Sequence, residues 1–275
     1  MSKTKKFEGI LLCGDFDNTL RSSEFPDAPI SKENAEAIRY FQENGGYFTL
    51  ITGRHPHYTR KYQQNFTPNA PVAGYHGALI AEPRGDAFLY DLGQKDTRMF
   101  DVIAGLWESD PAIVKVHCNG ARAESYKCRR DGTGHFPDPE TMRQNIPLPI
   151  YALLVITEEG HELRMKAIME ERIAALGLSD RFEVTRPGFN GCEIIRRGCD
   201  KGGALLRLKE MTGARLTVAM GDFDNDIPMI RAADIGYAVA NAVPALKKAA
   251  DRVTVDCKDH AAAAVIADLE RALID

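Results

Sequence analysis

Short apolar runs alternate with stretches of helical spacing in the N-terminal part of the chain. The run from Glu8 to Cys13 predicts a buried strand, and Ser31 predicts the N-cap of the helix that follows. A second strand is predicted at Tyr47–Ile51, then a helix that begins near Pro56 and a third strand near 71–73. This alternation predicts a parallel sheet with right-handed crossovers.

The C-terminal part repeats the same alternation. Helices are predicted at 201–211, 227–232, 243–250 and 260–273, and strands at 216–220, 235–239 and 252–255. Together the two ends of the chain predict one Rossmann-like α/β domain built on a parallel sheet.

The middle of the chain has a different pattern. Helices are predicted at 96–107 and 162–176, and strands are predicted at 112–118, 151–156 and 182–185. The stretch 129–149 is rich in Pro, Gly and charge and predicts loops. We therefore expect a core domain of residues 1–82 and 189–275 and an inserted α+β domain of residues 83–188.

Composition and charge narrow the class of protein. The chain has 275 residues, of which 44% are hydrophobic and 27% charged, which is typical of a folded globular protein. A net charge of −4 argues against a nucleic-acid partner. The longest apolar runs, 151–156 and 261–267, are too short to cross a membrane, and no basic amphipathic stretch indicates membrane-surface binding. Six cysteines without a C-x-x-C pair or a signal peptide favour reduced thiols and a cytoplasmic protein.

Polar side chains stand where the predicted strands end. Asp15 and Asp17 follow the first strand, Thr52 follows the second, Asp222 follows the strand at 216–220, and Lys201 begins a helix. Ligands of open α/β sheets bind at the carboxyl ends of the strands, so these residues should converge. Clustered carboxylates repel each other. A Mg²⁺ ion, which prefers oxygen ligands, would neutralise their negative charge. Lysine and threonine suit phosphate oxygens, and a carboxylate can attack phosphorus while a second moves the proton.

Four motifs, in order along the chain, resemble those of the haloacid dehalogenase (HAD) superfamily: Asp15-Phe16-Asp17-Asn18-Thr19-Leu20, Ile51-Thr52-Gly53-Arg54, Lys201, and Gly221-Asp222-Phe223-Asp224-Asn225-Asp226. The last motif, followed by Ile227-Pro228-Met229, resembles the Cof-type (subclass IIB) branch. In that branch a cap domain is inserted between the second and third motifs, and the stretch 83–188 matches its place and size. The resemblance implies a HAD core with an α+β cap.

The resemblance also implies catalytic roles. Asp15 would be the nucleophile and a metal ligand. Asp17 would be the general acid and base and would give its backbone carbonyl to the metal. Thr52 and Lys201 would hold the phosphoryl group. Dehalogenases of the superfamily lack a carboxylate at the position of Asp17, so its presence favours phosphoryl transfer.

The implied metal site is a Mg²⁺ ion held by Asp15, Asp17 and Asp222, with Asn225 and Asp226 supporting the metal ligands or Lys201. The expected substrate contacts are Gly53, Arg54 and His76. His76 stands where many Cof-type relatives carry Asn, and substrate contact and simple packing are equally expected for it. For His55 and His57, a solvent-facing helix start is favoured over a metal or substrate role.

Asn18 and a basic run in the inserted domain complete the candidates. Asn18 replaces the Gly of many relatives, and asparagine tolerates left-handed backbone geometry. The basic residues Arg122, Lys127, Arg129 and Arg130 predict a solvated face, with contact to an anionic substrate as the alternative.

We therefore expect a Mg²⁺-dependent phosphatase that acts on small phosphorylated metabolites, with sugar phosphates first among them. One alternative is a phosphotransferase such as a hexose-phosphate mutase that uses the same site. The other is a non-enzymatic protein that binds small molecules.

Overall fold

The computed structural model describes residues 5–24, 29–62, 66–121, 125–188 and 190–273. These residues form thirteen strands: β1 Ile10–Gly14, β2 Tyr47–Leu50, β3 Val72–Gly74, β4 Leu79–Ala81, β5 Phe88–Asp91, β6 Ile113–Gly120, β7 Ser125–Arg129, β8 Ile150–Thr157, β9 Phe182–Gly188, β10 Gly191–Arg196, β11 Leu216–Gly221, β12 Ile235–Ala238 and β13 Arg252–Val253. They form nine α-helices: α1 Lys32–Glu43, α2 Met99–Ile103, α3 Leu106–Ser109, α4 Pro139–Asn145, α5 Glu162–Ala175, α6 Lys201–Thr212, α7 Ile227–Ala232, α8 Pro244–Ala249 and α9 Ala261–Ala272. Short 3-10 helices lie at Pro56–Tyr62, Tyr75–Gly77, Asp224–Asp226 and Cys257–Asp259.

The chain divides into two compact units, residues 1–90 with 200–275 and residues 91–199. The first unit is built on a parallel sheet of order β13-β12-β11-β1-β2. Every residue of β1 is buried, as expected for a central strand of a parallel sheet covered on both faces. This parallel-sheet α/β core confirms the predicted fold class.

Helix α1 begins where the sequence predicts. The Ser31 hydroxyl accepts a hydrogen bond from the Asn34 N–H, which satisfies one of the free donors at the helix N-terminus. Ala35, Ile38 and Phe41 form its buried face. Their spacing directs one side of the helix into the core.

The third predicted strand, β3, is not paired with the parallel sheet along its length. One isolated parallel bridge, between Ile51 and Ala73, connects them. Its ladder is instead antiparallel to β4, in a small sheet of order β3-β4-β5. The chain reverses between β3 and β4 at three successive residues with positive φ: Tyr75, His76 and Gly77. This tight reversal makes the antiparallel pairing possible, and strands β4 and β5 were not predicted.

The second unit contains a five-stranded sheet of order β7-β6-β8-β10-β9, in which each neighbouring pair is antiparallel. Its core includes Val116 of β6, Leu153 of β8, Ile194 of β10 and Met165 of α5, all fully or almost fully buried. The residues of this α+β unit stand between the two sequence segments of the first unit, as expected for an inserted domain.

The limits of the two units differ from the expected limits after residues 82 and 188. The first unit continues to Tyr90 because β5 joins the sheet of β3 and β4. The second continues to Cys199 because β10 pairs with both β8 and β9. Strand β10 was not predicted. Its residues were therefore assigned to the core domain, whereas the structure places them in the second unit.

Two predictions in the middle of the chain were wrong. The predicted loops at 129–149 contain α4, in which Asp138 accepts a hydrogen bond from the Thr141 N–H at 2.6 Å and Pro139 occupies the first turn. The predicted helix at 96–107 is two short helices, interrupted at Gly105 with φ +71°.

Strand β7 carries two residues of the predicted basic run, Lys127 and Arg129, both half-buried. Arg130 is exposed, and Arg122 lies outside the described residues. All six cysteines lie within the described residues, where they are buried and form no disulfide. Among the described residues, no helix has the length and apolar character needed to cross a membrane.

Candidate active site

Two neighbouring strands bring the first and last motifs together. Strands β1 and β11 are parallel and in register, with Gly14 opposite Met220. The Asp15 N–H donates to the Met220 carbonyl at 3.0 Å, immediately beyond the ladder. Asp15 and Asp222 therefore leave the sheet side by side at its carboxyl edge, where ligands of parallel α/β sheets bind.

Lys201 lies in the first turn of α6, after the N-cap residue Asp200. Only 1% of its side chain is exposed, and its Nζ lies 2.6 Å from Oδ1 of Asp15 and 2.6 Å from Oδ1 of Asp226. Burial alone would lower the pKa of Lys201, but the two carboxylates raise it above the usual value. The side chain is therefore a buried ammonium ion held between two acids.

Asp226 fixes the turn that follows β11. Its Oδ2 accepts from the backbone N–H groups of Asp222, at 2.9 Å, and Phe223, at 3.1 Å, while Oδ1 accepts from Lys201. A Cβ atom on Gly221 would lie 2.6 Å from the Asp226 Cβ, so this turn requires glycine. Asn225 is half-buried in the adjoining 3-10 helix.

The negative charges of the Asp15 and Asp222 carboxylates are not balanced by nearby positive charge. Burial raises the pKa of Asp222 to about 8, and the nearby Asp226 and Asp15 carboxylates add to the shift. Burial also raises the pKa of Asp15, to about 6, against the opposing effect of Lys201. Thr19 donates its hydroxyl to Oδ1 of Asp222 at 2.9 Å. The single ammonium group of Lys201 does not balance the negative charge of the buried carboxylates. This imbalance favours a bound cation.

One carboxylate oxygen each from Asp15, Asp222 and Asp226 lie within 4.8 Å of one another. A cluster of buried carboxylate oxygens fits a hard divalent cation. Both oxygens of Asp226 already accept hydrogen bonds from Lys201 and the backbone, so Asp15 and Asp222 are better placed to serve as ligands.

The carboxylate of Asp17 is directed to Arg54. Oδ2 of Asp17 accepts from Nε of Arg54 at 2.5 Å, and Oδ1 accepts from Nη2 at 3.1 Å. Arg21 lies further away, with its Nε 3.9 Å from Oδ1. The sequence predicted Arg54 as a substrate contact. In the structure its guanidinium group contacts Asp17, and contact with a substrate stays a prediction.

Thr52 and His76 occupy adjoining loops beside the sheet. Thr52 is buried, and its Oγ1 accepts from the Arg54 N–H at 3.1 Å. The His76 N–H donates to the Thr52 carbonyl at 3.1 Å. His76 is buried in left-handed geometry, and a Cβ atom on Gly53 would lie 3.0 Å from its ring. The ring thus packs on Gly53, while contact of either residue with a substrate stays a prediction.

The solvent-facing position expected of His55 was wrong. His55 is 5% exposed, and its ring makes edge contacts with Tyr75 and Phe88. His57 is half-buried and stacks on Phe88 with ring centroids 5.2 Å apart. The unpredicted strand β5 supplies Phe88, so no local pattern in the sequence indicates this packing.

Sequence reasoning missed two residues whose hydrogen bonds connect the first motif to other parts of the site. Thr19 lies within the motif itself, and only its hydrogen bond to Asp222 reveals its contribution. Asn241 donates from Nδ2 to the Asn18 carbonyl at 2.8 Å and has no motif around it that could have indicated this. Asn18 has φ +56°, the left-handed geometry that its side chain was expected to tolerate.

Comparisons with known proteins agree with the fold. A family model described as haloacid dehalogenase-like hydrolase matches residues 12–266. The YcsE protein of Bacillus subtilis, named a 5-amino-6-(5-phospho-D-ribitylamino)uracil phosphatase, is 26% identical over 246 residues that cover 89% of each chain. An HMP-PP phosphatase of Klebsiella pneumoniae is 25% identical over 259 residues that cover 90% of each. The solved structure of BT4131, described as a HAD subclass IIB sugar phosphatase, is 19% identical with a TM-score of 0.71, covering 94% of this chain and 98% of its own.

The chain therefore belongs to the haloacid dehalogenase-like hydrolases. Within this family it is a phosphatase of the Cof type. Hydrolases of this family in general use a divalent metal, and the Asp15, Asp222 and Asp226 cluster fits one.

Proposed function

We propose that the protein hydrolyses small phosphomonoesters with Mg²⁺ and that Asp15 carries the phosphoryl group between two half-reactions. The observation that supports this most strongly is the buried Asp15 carboxylate, held by Lys201 and clustered with Asp222 and Asp226. A carboxylate in such a cluster combines a nucleophile, an ammonium ion for the phosphate charge and oxygen ligands for a cation.

In the first half-reaction, a carboxylate oxygen of Asp15 bonds to phosphorus, and the bond from phosphorus to the bridging oxygen breaks. Asp17 gives its proton to that departing oxygen, so the alcohol leaves neutral. Mg²⁺ bound by Asp15, Asp222 and the Asp17 carbonyl would neutralise charge on the phosphoryl oxygens. Lys201 and Thr52 hold the same oxygens through their ammonium and hydroxyl groups.

In the second half-reaction, water attacks the phosphorus of the aspartyl phosphate. The Asp17 carboxylate accepts the proton of that water, and the bond between phosphorus and Asp15 breaks. Inorganic phosphate leaves, Asp15 is again a carboxylate, and Asp17 is again protonated. Asp226 supports this cycle by fixing the turn after β11 and the position of Lys201. Asn225, in the adjoining 3-10 helix, is proposed to support the metal ligands.

The names of the relatives support a small phosphorylated metabolite as the substrate. YcsE is named for a phosphorylated ribityl chain, and BT4131 is described as a sugar phosphatase. We propose a phosphate ester on a sugar or sugar-derived chain.

The test is phosphate release from a metabolite panel in the presence of Mg²⁺. Asp15→Asn should abolish turnover, and EDTA should suppress it until Mg²⁺ is restored. Turnover that persists in Asp15→Asn would contradict the mechanism. An isomerised sugar phosphate without release of inorganic phosphate would instead assign the site to a mutase.

A further inference from the structure

The five-stranded sheet of the second unit carries its helices on one face. Val116, Leu153 and Ile194, from three neighbouring strands, lie on that face and form a core with Met165 of α5. Successive residues of a strand point to opposite faces, so the residue before Val116 lies on the other face. The face opposite the helices therefore carries Lys115 of β6 and the side chains that pair with it.

Three cations are neighbours on this opposite face. Lys115 stands directly across from Arg129 of β7 in the antiparallel ladder. Lys127 lies two residues before Arg129, on the same face of the same strand, and is a diagonal neighbour of Lys115. All three residues are half-buried. We call Lys115, Lys127 and Arg129 the basic cluster.

The basic cluster is electrostatically unfavourable by itself. Like charges directly across from each other in a sheet repel and destabilise the pairing. Burial lowers the pKa of Lys115, and the nearby charges of Arg129 and Lys127 lower it further. In the part of the chain that the structure describes, none of the three forms an ion pair with a carboxylate. The cluster thus lacks the negative charge that would stabilise it.

Two acidic residues of the same unit do not supply that charge. Asp131 attracts Arg129, but it is exposed, and its Oδ1 accepts from the N–H and the hydroxyl of Thr133 at 2.9 and 2.6 Å. Glu193 lies on the same face as the basic cluster but in β10, two strands and thus about 10 Å from β6. Its Oε1 accepts from Nδ2 of Asn119 at 3.3 Å.

Arg130 follows the basic cluster in sequence but has a different role. Its Nε donates to the Ile113 carbonyl at 2.5 Å, and its Nη2 donates to the Asp110 carbonyl at 2.9 Å. Its guanidinium carbon lies 4.5 Å from the centre of the Trp107 ring. Arg130 is therefore a structural arginine with acceptors from the protein. Among the described residues, no side-chain contact of this kind is found for Arg129.

We propose that the basic cluster is a binding site for a phosphate group other than the one that reacts at Asp15. Two ammonium groups and one guanidinium group match a phosphate dianion, because arginine binds two phosphate oxygens at once and lysine adds point charges. The bound anion would offset the repulsion between Lys115 and Arg129. This site does not take part in the reaction at Asp15, so it is tested by binding and not by turnover.

Competitive labelling of lysines in the whole chain tests phosphate binding at the basic cluster. The protein is acetylated with a succinimidyl ester in EDTA, at constant ionic strength and increasing inorganic phosphate, and peptide mass spectrometry gives the rate at each lysine. Bound phosphate covers Lys115 and Lys127 and raises their pKa values, which reduces the reactive neutral fraction. At about ten times the half-maximal phosphate concentration, both should be labelled ~10-fold more slowly.

The control in the same experiment is Lys166, which pairs with Glu170 on α5 of the same unit. Its labelling rate should change by less than ~2-fold, since only screening by salt acts on it. An unchanged rate at Lys115, or equal slowing at Lys166, would overturn the proposal.

Arg129→Gln removes the guanidinium group and leaves both lysines in place as reporters. It should raise the phosphate concentration for half-maximal protection of Lys115 by ~10-fold or more. Arg143→Gln is the matched control, since Arg143 lies in α4 of the same unit and pairs with Asp101 at 2.6 Å. Equal shifts in the two variants would contradict the site. If Arg129→Gln does not fold, Lys127→Gln read at Lys115 replaces it, and an unshifted concentration there overturns the proposal.

Two sources can supply the phosphate group: free inorganic phosphate, or the second phosphate of a doubly phosphorylated metabolite. Inorganic phosphate, fructose 6-phosphate and fructose 1,6-bisphosphate, each added in EDTA, distinguish them. Protection of Lys115 at a much lower concentration of the bisphosphate than of the other two assigns the second phosphate of a metabolite. Similar concentrations for all three assign a single phosphate group. Protection by none of the three overturns the proposal.

Discussion

The ammonium group of Lys201 lies 2.6 Å from Oδ1 of Asp15, in a site where 1% of the lysine side chain is exposed. This contact joins the start of α6 to the end of β1. Asp226 accepts from the same ammonium group at 2.6 Å. Since a charge removed from water is tolerated when it is paired, the stability of the site depends on all three residues together.

Lys201→Met should destabilise the metal-free protein because it leaves buried carboxylates without their cation. We expect the free energy of unfolding at neutral pH to fall by about 3–5 kcal/mol. Urea denaturation in EDTA measures it. Lys209→Met is the control, since Lys209 lies on the same helix but pairs with Asp234 at the surface, and it should cost less than about 1 kcal/mol. Similar losses in the two variants would contradict the buried ion pair.

The stabilisation that Mg²⁺ provides should increase with pH. The pKa values of Asp15, about 6, and Asp222, about 8, both lie above the ordinary value of 3.8. Between the ordinary and the raised values, the folded metal-free protein binds more protons than the unfolded chain, so its stability falls as pH rises. Lys201 stays protonated in both states over this range. Mg²⁺ binds the ionised carboxylates and should offset the loss.

Thermal unfolding in EDTA and in Mg²⁺, at about pH 5.5 and about pH 8, tests this dependence. The difference in Tm between the two solutions should be larger at the higher pH. Asp222→Asn should reduce that increase, because it removes the carboxylate with the higher pKa. A difference in Tm that is the same at both pH values would contradict the account.

Removing the hydroxyl that Thr19 donates to Asp222 should weaken Mg²⁺ binding. A hydrogen bond of this kind orients a metal ligand, and losing it typically lowers metal affinity by ~10-fold or more. The measurement is the Mg²⁺ concentration that gives half-maximal activity of Thr19→Val. Thr217→Val is the control, since Thr217 is also buried on the central sheet but bonds to Asp234. An equal shift in both variants would show that the contact with Asp222 is not responsible.

Gly53→Ala should reduce activity because the added Cβ would meet the His76 ring at 3.0 Å. A small displacement of the adjoining Thr52 loop could cost ~10-fold in kcat. His76→Gly removes the ring and accepts the left-handed backbone, so Gly53→Ala should cost less activity in the His76→Gly background than in the parent protein. Additive losses in this double-mutant cycle would argue against the crowding explanation.

The local features of the fold that could be predicted from the sequence are those that one segment determines alone. Ser31 caps α1 because its hydroxyl reaches a donor three residues away. Strands β1 and β11 are mostly apolar, and each ends at a glycine that is followed by an aspartate. The convergence of Asp15, Lys201 and Asp222 followed from strand ends in a parallel sheet, and the structure brings them together.

The features that were missed depend on partners distant in the chain. Strand β10 is six residues long and is defined by its pairing with β8 and β9. His55 is buried by Phe88 of β5, which a local pattern does not indicate. Helix α4 is different, because Asp138 and Pro139 form a recognisable helix start that the Pro- and Gly-rich surroundings obscured. The pairing of Arg54 with Asp17 could not be read from motif spacing, since it depends on side-chain orientation.

The most direct test of the central claim is to trap the phosphoryl group on the enzyme. The protein is mixed with excess substrate and Mg²⁺, quenched in acid during turnover and reduced with borohydride, which converts an aspartyl phosphate to homoserine. Peptide mass spectrometry should find homoserine at position 15, and Asp15→Asn should show none. Turnover with no modified aspartate, or with the modification at another position, would contradict the assignment of Asp15 as the nucleophile.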